Sequence, residues 1–338
     1  MTRRAAIVFA WLLAQAAAGC TSSDPGSITI AQACLDLAMA RCNLRAACSV
    51  PQGESGAGAS IVETYGDLQT CLAREQLACS NALAAPQTGD SPATVETCVQ
   101  KFSSYSCAEL FENLPPTDCL NLGARGDGAP CTFDAQCQSA TCAGTQIAVC
   151  GTCGAPPHAG EDCSATACVR GDRCQTSTNT CAALVGFAGA CDDTHLCAVG
   201  LWCVGGDPTT MTPGSCQAAG TRLGAACGGT RPGCEATRGL FCAGEGDDAA
   251  CAALTSGGTA CGPLPDGTRA GCVAGGCYTD LGPAGAGEMG TCKPFAPDGY
   301  PCDTLLGPGC MPPARCVTYP GSTAGTCVIP DASLCPAI

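Results

Sequence analysis

The chain has 338 residues, of which 35 are Cys, 45 Gly and only 4% aromatic, with a net charge of −14. Leu, Ile, Val and Phe total 51, too few for a large apolar core, whereas Cys at about one residue in ten marks a disulfide framework. An acidic chain whose only lysines are Lys101 and Lys293 has no basic patch, which disfavours nucleic acid and anionic headgroups as partners.

At the N-terminus Arg3 and Arg4 precede the apolar run Ala5 to Leu13 and then small residues, the layout of a cleaved signal peptide over residues 1–19. The run Ala17-Ala18-Gly19-Cys20 resembles the bacterial lipoprotein signal, in which the Cys becomes the acylated first residue. It departs from that signal at Ala17, where Leu is usual, and ordinary cleavage would instead leave Cys20 a free thiol. Parity favours the lipid, because removing Cys20 leaves 34 cysteines that can all pair. The expected membrane partner is therefore reached through acyl chains on Cys20, with residues 20–27 as lipidated Cys and polar tether.

Large apolar residues then rise to 20 of 95 from Ile28 to Leu122, against 26 of 216 from Gly123 onward. Residues 28–122 read as a helical disulfide domain, with helices over Ile30 to Ala47, Ile61 to Leu83 and Ala93 to Leu114. Ser91-Pro92 with Glu96 has the look of a capped start. Cys34 and Cys42 are eight apart, as are Cys71 and Cys79. On a helix each pair lies about 12 Å apart along the axis and about 80° around it, too far for a bond that needs Cα atoms within about 7 Å. Across an antiparallel hairpin, Cys34 to Cys79 and Cys42 to Cys71 become two rungs. Cys48, Cys98, Cys107 and Cys119 have three connectivities open to them.

After a turn-rich linker over 123–130, six four-cysteine units follow at 131–153, 163–181, 191–216, 227–251, 261–292 and 302–327. Their cysteines are 131, 137, 142, 150; 163, 168, 174, 181; 191, 197, 203, 216; 227, 234, 242, 251; 261, 272, 277, 292; and 302, 310, 316, 327. First cysteines recur every 28 to 41 residues, a period of small stacked units. Gly128, Gly160, Gly224, Gly258 and Gly299 stand three before a first Cys and Gly189 two before, as a repeated positive-φ turn would ask. The expected fold is small and disulfide-rich: an N-terminal α-helical disulfide-bonded domain, then an elongated array of cystine-rich repeats with short β-hairpins and loops. Cys153 and Cys335 fall outside the four-cysteine units, and a bond between them would close the array.

The spacing of Cys131, Cys137, Cys142, Cys150, Cys153, Cys163, Cys168, Cys174 and Cys181 resembles the Dickkopf N-terminal cysteine-rich domain, with later units as looser variants. That family has ten cysteines with an adjacent pair near Cys168, where this chain has Val169. The resemblance implies an extracellular, non-enzymatic, protein-binding module.

Motifs for chemistry are sparse. His158 and His195 are the only candidate bases and read as loop residues. Cys150-Gly-Thr-Cys153 lacks the helix start of a redox motif and the second pair of a zinc site, and reads as structural disulfides. Asp192-Asp193 and Glu245-Gly-Asp247-Asp248 read as acidic turns with weak calcium binding as the functional alternative. Arg125-Gly126-Asp127 and Arg170-Gly171-Asp172 spell an adhesion tripeptide that chance explains in a chain of this composition. Trp202 and Phe241 occupy equivalent slots, either packed over their own unit's disulfides or exposed as contact residues. These features point to a lipid-anchored binding or structural module without catalytic activity or cofactor, facing a protein or glycan. A braced inhibitor of a secreted enzyme, using Val204 to Ser215 or Tyr278 to Thr291, and a calcium-assisted adhesin are the alternatives.

Overall fold

The computed structural model describes residues 28–52, 57–111, 114–144, 148–164, 166–175, 178–192, 195–206, 212–244, 246–256, 258–265, 267–285 and 288–335. The expected signal peptide, residues 1–19, and Cys20 lie outside the described residues.

The N-terminal part is a helical hub. Helix α1 (Ile30–Cys48) and helix α3 (Leu68–Ala84) form the expected hairpin, with Cys34–Cys79 and Cys42–Cys71 as its rungs at Cα separations of 5.4 and 6.2 Å. Leu37, Val95 and Phe102 bury against the first rung, and Ile61 and Tyr65 against the second. The second expected helix divides into α2 (Ala59–Tyr65) and α3, because Gly66 takes φ +84° to end one and Asp67 accepts the Thr70 amide at 2.7 Å to start the next. The third is also shorter. Helix α4 (Pro92–Lys101) gives way to a single turn, Phe102–Ser104, and then to α5 (Cys107–Phe111), restarted by the reciprocal Ser106 and Glu109 cap. At the start of α4 it is Thr94, not Glu96, that returns the Ser91 cap. Cys48–Cys107 and Cys98–Cys119 tie these pieces to the hairpin.

Each repeat has the same wiring. The first cysteine bonds the third and the second bonds the fourth, at Cα separations between 5.3 and 5.9 Å. The third and fourth cysteines stand directly opposite each other on a hairpin, as in Cys174 and Cys181 or Cys316 and Cys327, yet do not bond to each other. Opposed residues put their side chains on one face of an antiparallel pair. Both bridges therefore leave the hairpin on the same side and stack, which brings three sulfurs within 4.8 Å in each of the first five units. The residue before the first cysteine pairs with the residue before the fourth in all six units, from Pro130 with Thr152 to Pro301 with Thr326.

In the first unit this register makes Cys153 the fourth cysteine: it opposes Cys142 and bonds Cys137. The expectation that Cys150 fills that place, and that Cys153 pairs with Cys335, is corrected accordingly. Cys150 is the extra residue, and it bonds Cys335 across 185 positions.

The positive-φ turn serves the fourth cysteine. Gly128, Gly160, Gly224 and Gly299 have φ between +75° and +88° and donate their amides to the carbonyls of Cys153, Cys181, Cys251 and Cys327. In the third unit the residue doing this is not Gly189 but Ala188, at φ +63°, which donates to Cys216.

The array is not elongated. It curls round the hub and closes on itself through Cys150–Cys335, because five units find specific partners on the helices. Gln136 of the first unit is fully buried and reaches the Pro86 carbonyl at 2.9 Å. In the second, Arg170 bonds Glu109 at 3.0 Å. Backbone bonds from Val50 to Arg238 and from Ala274 to Val62, both 2.9 Å, dock the fourth and fifth. Arg74 of α3 clamps the sixth, holding Asp298 bidentately at 2.6 and 2.9 Å and the Pro312 and Met311 carbonyls at 2.6 and 2.8 Å. Sixth and first units also touch, where Arg315 reaches the Ala148 and Val149 carbonyls.

A Cβ at Gly160 would meet open space, so Gly160→Ala adds left-handed strain without a clash. It is expected to destabilise by about 1 kcal/mol, while Ala188→Gly is expected to stabilise by up to about 1 kcal/mol. Calorimetric melting of the two oxidised variants checks this, and shifts of the same sign would refute the shared turn.

Candidate functional site

Where the helical hub faces the first two repeats, the two bodies do not close completely. They leave a cleft of about 740 Å³, within the range that holds small ligands. Its apolar lining comes from Phe102, Leu110, Leu114 and Leu120 of the hub and Val169 of the second repeat, with Ser139, Thr141 and Thr166 among the polar groups beside them. Tyr105 stacks edge-on against Phe102, and its hydroxyl meets the carbonyls of Glu109 and Leu114. Burial, then the nearby Glu109 charge, pushes that phenol up to about 12, so it stays neutral at physiological pH.

The floor is charged. Arg41 and Arg45 sit four apart on α1 and so share a face of the helix, and Glu75 comes across from α3. Arg41 Nη1 donates to Glu75 Oε2 at 3.1 Å and the Tyr65 hydroxyl to Glu75 Oε1 at 2.8 Å. Burial alone would raise the Glu75 carboxyl, but the Arg41 charge, these two bonds and the Arg45 charge outweigh it and hold the group below the ordinary range. Arg170 stands at the rim, bound to Glu109 and to the Pro115 carbonyl at 2.7 Å. Asp134 lines the unit-one side and accepts the Cys142 amide at 2.7 Å.

The cysteines Cys131, Cys137, Cys142, Cys153, Cys163, Cys168, Cys174 and Cys181 all lie in bridges of the first two units, and Cys142 and Cys168 line the cleft. Cys168 bonds Cys181 without the adjacent cysteine of the Dickkopf pattern. The C-x-x-C pair Cys150 and Cys153 is split between two structural bridges. Trp202 is 50% exposed and packs not over its own disulfides but over Gly233 of the next unit, where a Cβ would lie 2.8 Å from the indole. Phe241 is half-buried opposite Ala252. Neither reaches the cleft.

Of the two adhesion tripeptides, Arg125 is 5% exposed, with its guanidinium on the Pro130 carbonyl, and Arg170 is held by Glu109, so neither presents a free arginine. His195 lies 2.8 Å from Asp192 through Nδ1, and His158 is exposed in a different repeat. Asp193 and Glu245 lie outside the described residues, as does part of each long interval proposed for inhibition. Sulfur clusters that could ligate a metal consist of cysteines already engaged in bridges. Among the described residues no helix is long and apolar enough to cross a membrane.

No family model, curated protein or solved structure matches the chain. The cleft residues Arg41, Arg45, Glu75 and Tyr105 carry no motif. The signal available in sequence was the i, i+4 arginine pair on a helix of an otherwise acidic chain.

A second acid lies at the contact between hub and ring. Glu63 of α2 faces Gly271 of the fifth unit, where a Cβ would come within 2.8 Å of Oε1, and that oxygen is buried without a hydrogen-bond partner among the described residues. Burial raises its pKa to about 7 from 4.5. Between those two values the folded chain keeps a proton that the unfolded chain has released, so stability falls as pH rises through this window. Glu63→Gln should abolish that fall and raise stability above pH 7 by about 1–3 kcal/mol, discounted for partial exposure. Urea melts at pH 4.5 and 8 measure it, and an equal fall in wild type and variant would refute the assignment.

Proposed function

We propose that the protein is an exported, lipid-anchored binding module that takes its ligand in the cleft between the helical hub and the first two repeats. Seventeen disulfides among the described residues form and persist in an oxidising compartment, which supports export. The anchor reading rests on the sequence around Cys20 and on the even count of the remaining cysteines. The resemblance of the first two repeats to the Dickkopf cysteine-rich domain supports binding over catalysis.

The observation that carries the reading is the cleft itself. Its two sides are separately crosslinked bodies, so the opening costs no collapse of either one. A site whose walls are fixed before the ligand arrives loses little conformational entropy on binding. The same bracing explains how a chain with so small an apolar core can hold polar and apolar groups in fixed relation.

Affinity capture from cell-envelope extract tests the reading with two substitutions. Ala167 is exposed at the cleft, and Ala167→Trp should fill it and eliminate a partner that the wild type recovers, while Cys20→Ala should release the protein from the membrane fraction. An unchanged set of captured species with Ala167→Trp, or membrane association that survives Cys20→Ala, would contradict the corresponding half.

A further inference from the structure

Three arginines of the cleft, Arg41, Arg45 and Arg170, stand against three carboxylates, Glu75, Glu109 and Asp134. Glu75 is matched by Arg41 and Glu109 by Arg170. Asp134 feels the charge of Arg315 behind it and accepts a backbone amide. Arg45 is the cleft arginine with no carboxylate at ion-pair distance among the described residues. Among the described residues its guanidinium makes a single hydrogen bond, Nη1 to Ser60 Oγ at 3.3 Å, although a guanidinium has five N–H donors in a fixed planar fork.

A half-buried guanidinium facing an open cleft gives its remaining donors to water, and an anion can replace that water with stronger charge-assisted bonds. Arg45 is placed to receive one, since it lines the cleft beside Arg41. The same cleft is lined by the hydrocarbon and aromatic side chains Phe102, Leu110, Leu114, Leu120 and Val169. A cation and an apolar lining in one cleft suit an amphiphile. The volume, about 740 Å³, suits a body larger than a bare anion.

We propose that the cleft binds a small amphiphilic carboxylate, its carboxylate bidentate on the Arg45 fork beside the Arg41–Glu75 pair and its hydrocarbon body along the Phe102, Leu120 and Val169 wall. The inference rests on the cleft being the ligand site. Net acidity of the whole chain repels anions at long range, so selectivity comes from the short-range fork together with apolar burial. An inorganic anion gains only the first and a neutral alkyl chain only the second.

Isothermal titration of the full mature oxidised protein separates the two contributions, using decanoate below its micellar concentration, decan-1-ol and acetate. Decanoate should bind at least tenfold more tightly than decan-1-ol, acetate should give no saturable heat, and Arg45→Gln should weaken decanoate at least tenfold while leaving decan-1-ol unchanged. Ala167→Trp, which does not touch Arg45, should abolish decanoate binding and covers the case in which Arg45→Gln fails to fold. Absence of decanoate binding to the wild type, equal affinity for decan-1-ol, or an unaltered affinity in a folded Arg45→Gln variant would overturn the proposal. If decanoate fails to bind while Ala167→Trp still eliminates the captured envelope partner, the cleft stands as a site and only its ligand class falls.

Discussion

The interaction on which everything else depends is the stacked pair of disulfides laid across one face of each repeat's hairpin. Two strands of four or five residues cannot hold together in water on backbone bonds alone. In every repeat the third and fourth cysteines face each other and each is bonded to an earlier loop, so the hairpin and the two loops become one covalent unit. Loops of this size, between 11 and 20 residues, correspond to about 3 kcal/mol per bridge in the chain-entropy description. Six such units need almost no oily interior, which is why the composition could dispense with one.

Covalent units of that kind do not by themselves determine how they sit together, and here the hub supplies the missing information. Each of the five docked repeats is held by at least one directed polar bond, the Arg74 clamp on Asp298 and two carbonyls being the most heavily bonded. Planar bidentate bonds have one good geometry, so they orient a repeat where an apolar surface would let it slide. The Cys150–Cys335 bridge then joins the first repeat to the tail after the last. Hub, ring and latch together leave one face imperfectly closed between the helices and the first two repeats. That face combines charged and apolar side chains in one cleft.

Much of the local structure is legible in the sequence. Eight-residue spacings suggest the rungs Cys34–Cys79 and Cys42–Cys71, because an antiparallel hairpin of two helices brings both pairs to bonding distance. Glycines three before the first cysteine announce the left-handed turn in four units, while Ala188 takes the place in the third and Gly258 of the fifth stands at φ +128°. Short-range punctuation was also present but weaker: Gly66-Asp67 divides a helix that hydrophobic pattern alone would run together, and Ser106 with Glu109 restarts another. The assembly was not legible. Nothing local distinguishes Cys150 from Cys153 as the fourth cysteine of the first unit, since both lie a few residues from the end of the hairpin. The register settles it, through the pairing of Cys142 with Cys153. Repeats in series suggest a rod, and what bends them into a ring is a set of single polar residues, Gln136, Arg170 and Arg74, that have no periodic signature. The cleft inherits that difficulty, because its floor and walls come from segments far apart in the chain.

Mapping the disulfides of the unreduced protein by proteolysis and mass spectrometry tests the account most directly. First-to-third and second-to-fourth links in all six repeats, together with a peptide joining Cys150 to Cys335, are the predicted result. Neighbouring links within the repeats, or Cys153 joined to Cys335, would contradict the covalent frame from which the ring and its cleft follow.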